Sequence, residues 1–182
     1  MKRNSLLITL LLFLAFSRAD AQKNLITNGG FEDDDLYGWN QNDGVRQTPW
    51  AFKSGKNACA IVTRNTDNWV GINQIVKIPN KVQAIEFSAW ITTTNVVKGK
   101  NDWDGAVFTI VFLGGGDKEI GQGINIARVT GDTDWTFFTK VIRIPEKAFS
   151  FKVLLAMGNA SGSMVVDDVT AKAVSPEKVV SN

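Results

Sequence analysis

The sequence predicts an all-β protein, an antiparallel β-sandwich of the jelly-roll kind. Three observations lead there. Apolar residues recur at period two in short runs. Gly, Asn, Asp and Pro bound the runs. After the N-terminal apolar stretch, no segment sustains a helical period. About nine such runs within one domain's length fit two packed antiparallel sheets.

In chain order, the first two runs, at 45–53 and 57–64, are weak. The strong ones are W-V-G-I-N-Q-I-V-K-I at 69–78, V-Q-A-I-E-F-S-A-W-I-T-T-T at 82–94 and G-A-V-F-T-I-V-F-L at 105–113. A weaker run at 119–129 precedes D-W-T-F-F-T-K-V-I-R-I-P at 134–145, F-S-F-K-V-L-L-A at 149–156 and S-M-V-V-D-D-V-T-A-K-A-V at 163–174. Val, Ile, Thr, Phe and Trp fill these segments, as suits a pleated, half-buried surface. L-G-G-G-D at 113–117 and G-Q-G-I-N at 121–125 lack the Gly-Lys-Ser/Thr ending of a phosphate loop and a following helix, so hairpin turns are expected at both. A polar tail follows Val174, over 175–182.

Alternation assigns faces. At 82–94, Phe87, Ala89 and Ile91 share one face, and Ser88, Trp90, Thr92 and Thr94 the other, which sets Trp90 in a polar row. In the last run Val165, Asp167, Val169, Ala171 and Ala173 share a face. Asp167 is therefore expected on the core side, where a carboxylate needs a partner, with Asp168 opposite.

At the N-terminus, Lys2 and Arg3 precede an apolar run from Leu6 to Phe16 that ends at Ala19-Asp20-Ala21. This is the pattern of a secretory signal peptide over 1–21, with an apolar core too short to span a bilayer. The expectation is cleavage after Ala21, no membrane insertion afterwards, and a secreted protein, extracellular or periplasmic. Removing 1–21 leaves 17 basic and 17 acidic residues. The remaining chain is formally neutral, which gives no electrostatic case for nucleic acid. Cys59 is the only cysteine and lies in A-C-A-I-V, so it reads as a buried, inert thiol. There is no histidine, which excludes imidazole acid/base catalysis, Ser-His-Asp and Cys-His nucleophiles, and His-ligated zinc.

Taken in order, N-L-I-T-N-G-G-F-E, G-W, G-I-N-Q-I-V, F-S-A-W, D-W-T-F-F and S-G-S-M-V-V-D-D-V-T resemble the carbohydrate-binding modules of families four, nine and twenty-two. These are galactose-binding-like β-jelly rolls. The resemblance covers about residues 24–174, so one module-like sandwich is expected over 22–174. It implies a structural Ca²⁺ held by Glu32 of the opening motif and Asp167 of the closing strand, with Asp168 as the alternative neighbour. Calcium takes about six to eight oxygen ligands, and such an ion would tie the first strand to the last. The alternative is that Asp167 accepts backbone amides and needs no ion. Asp33, Asp34 and Asp35 read as a solvated loop.

The resemblance further implies a poly- or oligosaccharide partner. Sugar rings need flat apolar faces rimmed by hydrogen-bonding groups. Trp39 and Trp135 match structural positions of the family, which leaves Trp90, Trp103, Trp69 and Trp50 as candidates. Trp90 leads because its row is polar, and Trp103 follows because N-D-W-D-G reads as an exposed loop. Gln74 matches a glutamine of the family and is a further carbohydrate-binding candidate, but it shares a face with Ile72 and Val76, so a buried structural hydrogen bond competes. Two other function classes stay open. One is a small glycoside hydrolase using acids such as Asp102 with Asp104 or Glu86 with Asp117. The other is an adhesion or assembly sandwich.

Overall fold

The computed structural model describes residues 22–179. The expected signal peptide at 1–21 and the end of the tail at 180–182 lie outside the described residues. Among the described residues ten strands form: β1 (Asn40–Gln41), β2 (Val45–Thr48), β3 (Ala58–Thr63), β4 (Trp69–Lys77), β5 (Ala84–Lys98), β6 (Gly105–Leu113), β7 (Glu119–Val129), β8 (Gly131–Arg143), β9 (Ser150–Gly158) and β10 (Ala160–Val174). They make two antiparallel five-stranded sheets. The first has the order β1-β4-β9-β6-β7 and the second β2-β3-β10-β5-β8. Among the described residues no helix is long and apolar enough to cross a membrane.

The inner faces follow the alternation. Phe87, Ala89 and Ile91 of β5 are buried against Phe108, Ile110 and Phe112 of β6 and Phe151, Val153 and Leu155 of β9. Phe87 meets Phe151 edge-on across the sheets, centroids 5.0 Å apart. Cys59 is fully buried, and burial pushes its thiol pKa up to about 12, well outside the range of a nucleophile.

The opening motif is laid along the closing strand. Leu25 N–H donates to Ala171 O at 2.8 Å and Val169 N–H to Gly29 O at 2.8 Å. The Asn24 side chain extends this ladder, donating to Val169 O and accepting from Ala171 N–H. Gly29 is required here, because a Cβ would collide with Val169 O. Trp39 is buried and its indole N–H donates to Asn28 O at 3.0 Å. Trp135, on edge strand β8, is only half-buried.

Three expectations are corrected. The weak run at 45–53 is a strand only to Thr48. Pro49 has no N–H to give a ladder, and the chain leaves the sheet there as a loop. G-Q-G-I-N at 121–125 is not a turn but part of β7. The four steps from Ile120 to Ile124 face the two steps from Ile110 to Phe112, and Gly121 takes φ 71 to absorb the excess. The hairpin turn lies at Gly115–Asp117, as L-G-G-G-D predicts.

The third correction concerns Asp167. Met164 and Val166, not Val165, point into the core, and Val169 and Ala171 resume it. The switch occurs at a bulge between Asp167 and Thr170, where Asp168 sits at φ 50. Asp167 therefore lies on the outer face of the second sheet, paired with Trp90. It is nevertheless fully buried, because the loop after β2 folds over it.

Candidate functional site

The loop at residues 53–57 is held by carboxylates acting on its amides. Asp167 Oδ2 accepts the N–H groups of Lys53 (2.8 Å) and Ser54 (3.0 Å), and Oδ1 accepts Asp168 N–H (2.7 Å). Glu32 Oε1 accepts Lys56 N–H (2.8 Å) and Asn57 N–H (3.0 Å), and Ser54 Oγ donates to Asp168. These bonds hold the Glu32 carboxyl below its usual range. Burial raises that of Asp167 despite its three amide partners.

Glu32, Asp167 and Asp168 thus grip one loop at separate points. Among the described residues no three acidic or sulfur and imidazole side chains gather as a metal cluster. Asp33, Asp34 and Asp35 are exposed, in and before a 3₁₀ turn.

The tryptophan candidates divide between two opposite faces. On the second sheet Trp90 is half-buried, with Lys53 Nζ 4.0 Å from its ring centroid and the Phe137 ring beside it at 5.2 Å. Trp50, in the covering loop, is 91% exposed. Gln74 is buried, and its amide is used up on Thr27. Its Oε1 accepts Thr27 N–H and its Nε2 donates to Thr27 O, both at 2.9 Å, which ties the N-terminal segment to β4. That is the structural role rather than a ligand contact.

The first sheet presents a different surface. On β4 the core takes Val70, Ile72, Gln74 and Val76, so Trp69, Gly71, Asn73 and Ile75 face outward. Register places Trp69, Gly158 and Gly105 in one row across β4, β9 and β6, and Gly71, Ala156, Val107 and Arg128 in the next. The third row is Asn73, Leu154, Thr109 and Asn125, with Asn40 of β1 beside Asn73.

Beside Trp69, the floor of the first two rows is Gly158 and Gly105, then Gly71 and Ala156, with Val107 as its one larger side chain on β6. The Trp69 ring lies across it. A Cβ on Gly158 would stand 2.5, 2.9 and 3.0 Å from three of its ring carbons. Trp69 is nonetheless 47% exposed. Strands are about 4.8 Å apart, so Trp69 and the β6 end of the row stand roughly 10 Å apart, the width of a shallow trough. Trp103, 62% exposed, lies in the loop that enters β6, two residues before Gly105. Arg128, Asn73, Asn125 and Thr109 supply polar groups along the floor, with Thr109 Oγ1 bonded to Asn125 at 2.6 Å.

The floor glycines and Arg128 went unnoticed in the sequence. Their signal was present as small residues at period two, Gly71 in W-V-G-I and Ala156 and Gly158 in A-M-G, but only strand register joins them.

The acid pairs of the hydrolase alternative do not face each other. Asp104 is buried, accepting Asn101 N–H (2.9 Å) and Asn159 Nδ2 (3.3 Å), with the first bond foremost in holding its carboxyl below the usual range. Asp102 is exposed and paired to Lys98 at 2.7 Å. Glu86 stands on the second sheet and Asp117 in the β6–β7 turn of the first.

No protein-family model matches the chain, and no curated protein is similar to it in sequence. Solved structures are similar in fold. A family 16 carbohydrate-binding module superposes with TM-score 0.59 at 23% identity, over 81% of this chain and 99% of that one. The fold is that of a carbohydrate-binding module. A family 22 xylan-binding domain from Paenibacillus barcinonensis gives TM-score 0.58 at 19% identity, over 84% and 96%. A family 61 module in complex with β-1,4-galactotriose gives 0.57 at 16%, over 84% and 99%. The enzymatically active domain of tailspike protein 4 from bacteriophage CBA120 gives 0.63 at 14%. That match covers 83% of this chain but spans only 21% of the tailspike chain.

Proposed function

We propose that the chain is a secreted, non-catalytic polysaccharide-binding protein whose binding face is the outer surface of the first sheet. The observation that carries this is Trp69, half-exposed, with its ring laid over a floor of glycine and alanine. A protein gains little from leaving an indole in water, and an apolar face set in a shallow polar trough matches the C–H face of a pyranose. Trp103, in the loop leading into β6, adds a second exposed ring near the end of the row, and Arg128, Asn73 and Asn125 meet the hydroxyls. Trp50 and Trp90, on the opposite sheet, offer one ring free of neighbouring strands and one already covered by Lys53. The structural neighbours include a xylan-binding domain and a module bound to β-1,4-galactotriose, which makes xylan and β-1,4-galactan the first probes.

Secretion rests on the signal pattern at 1–21. Calcium is a further part of the proposal. Glu32, Asp167 and Asp168 suit it in chemistry. Because they hold separate points of the loop, they would not all ligate one ion, and main-chain carbonyls would give most of its six to eight oxygens. Because amides already satisfy Asp167, the ion would add stability to the loop rather than create it.

Affinity electrophoresis of the chain from Gln22 onward in gels containing xylan or β-1,4-galactan tests the binding face. Retention that is lost in Trp69→Ala supports it. Equal mobility with and without both polysaccharides would remove it.

A further inference from the structure

Beside the trough lies a second, smaller recess of about 180 Å³, lined by Thr66, Asp67, Lys100, Asn101, Asp104 and Asn159. Its walls are the loops after β3, β5 and β9, and hydrogen bonds join them. Asn159 N–H donates to Asn68 O at 3.0 Å, Gly99 N–H to Asn159 O at 2.8 Å, and the Asp104 carboxylate binds Asn101 and Asn159. The recess lies at the end of the row that holds Trp69, Gly158 and Gly105. Asn159 follows the floor residue Gly158, Asp104 follows Trp103, and Asp67 stands two residues before Trp69.

The chemistry of the lining narrows what it accepts. Lys100 and the two Asn side chains offer donors, while Asp67 and the Asn carbonyls offer acceptors, and the buried Asp104 fixes Asn101 and Asn159 in place. Donors and acceptors side by side suit hydroxyl groups, each of which is both. Two carboxylates against one ammonium disfavour a phosphate or carboxylate ligand. The volume is below the roughly 300–1,000 Å³ of pockets that hold drug-sized molecules, so it admits a single ring. A ring inside a polymer carries a neighbour on both sides, whereas a terminal ring carries one.

We infer that this recess is a subsite for one terminal sugar, at a chain end or on a side branch, while the adjoining residue stacks on Trp69. This rests on the polysaccharide-binding reading of the trough and names the part of the glycan it selects.

Isothermal titration of the chain from Gln22 onward tests it, using linear xylan fractions of increasing length, β-1,4-galactan, and xylan carrying single arabinose branches. The expected number of proteins bound per unbranched chain stays constant as the chain lengthens. If branches are the source, the number follows branch count, and linear xylan binds poorly. The exposed-loop variants Asp67→Ala and Lys100→Ala are expected to weaken binding about tenfold without moving the melting temperature. Stoichiometry that grows with the length of an unbranched chain, or variants that bind as tightly as the parent, would overturn the inference and leave the trough intact. No heat with any of these glycans would overturn the trough as well.

Discussion

Replacing Asp167 by Ala tests what holds the loop at 53–57. The carboxylate is fully buried and accepts three amide N–H groups at 2.7 to 3.0 Å. Hydrogen bonds to a charged group contribute about 1.5–3 kcal/mol each, and an orphaned buried donor costs about 1–3 kcal/mol. Against this, burial already disfavours the ionised carboxylate and raises its pKa, and a freed loop admits water to some of the amides. The net expectation is a loss of about 3 kcal/mol. For a chain of this size that lowers Tm by roughly 6–12 °C.

Asp167→Asn keeps an oxygen for Lys53 and Ser54 but turns an NH₂ toward Asp168 N–H, so it should fall between Ala and the parent. Urea unfolding followed by tryptophan fluorescence, with calorimetric Tm, measures both. An Ala variant within about 0.5 kcal/mol of the parent would refute the idea that this carboxylate anchors the loop. Repeating the melts with calcium and with chelator tests the ion, since a ligand bound only to the native state raises Tm. Unchanged Tm would remove calcium from the proposal.

Three other outcomes are expected. Gly158→Ala should lift the Trp69 ring, because its Cβ would stand 2.5 Å from a ring carbon, and weaken glycan binding several-fold with little change in Tm; parental affinity would argue against the platform. The Asp104 carboxyl is held below its usual value, so its stabilisation is present above about pH 4 and is lost as pH falls toward the folded pKa. The stability gap between the parent and Asp104→Asn should therefore shrink in acid, and a gap constant with pH, measured by urea titration at each pH, would contradict this. Trp90→Ala should cost about 3 kcal/mol or less in stability, through lost contact with Phe137 and Lys53, and spare binding to xylan or β-1,4-galactan in gel retardation.

The strands were largely legible because burial imposes period two. The run at 105–113 became β6 with the same ends, and the face assignment of Phe87, Ala89 and Ile91 held. Asp167 was misplaced because alternation assumes an unbroken pleat, and a bulge at Asp168 inverts it without any glycine or proline to announce the change. β1 has two residues, too few to show a period. The polar row of Trp90 was read correctly, yet the loop whose Lys53 covers it comes from far earlier in the chain. Conversely, Trp69 is a candidate in the sequence but ranks behind Trp90 and Trp103, because it lies near a strand end. Its setting over Gly158 depends on a pairing between residues 89 positions apart, which no local pattern encodes.

The central claim is that Trp69 carries glycan binding. The direct measurement is retardation of the chain from Gln22 onward, beside Trp69→Ala and Trp90→Ala, in gels containing xylan or β-1,4-galactan. Truncating a central aromatic anchor costs about 2 kcal/mol or more, roughly thirtyfold in affinity. Retardation should therefore vanish in Trp69→Ala and persist in Trp90→Ala. Retardation that survives in Trp69→Ala, or is lost only in Trp90→Ala, would contradict the account.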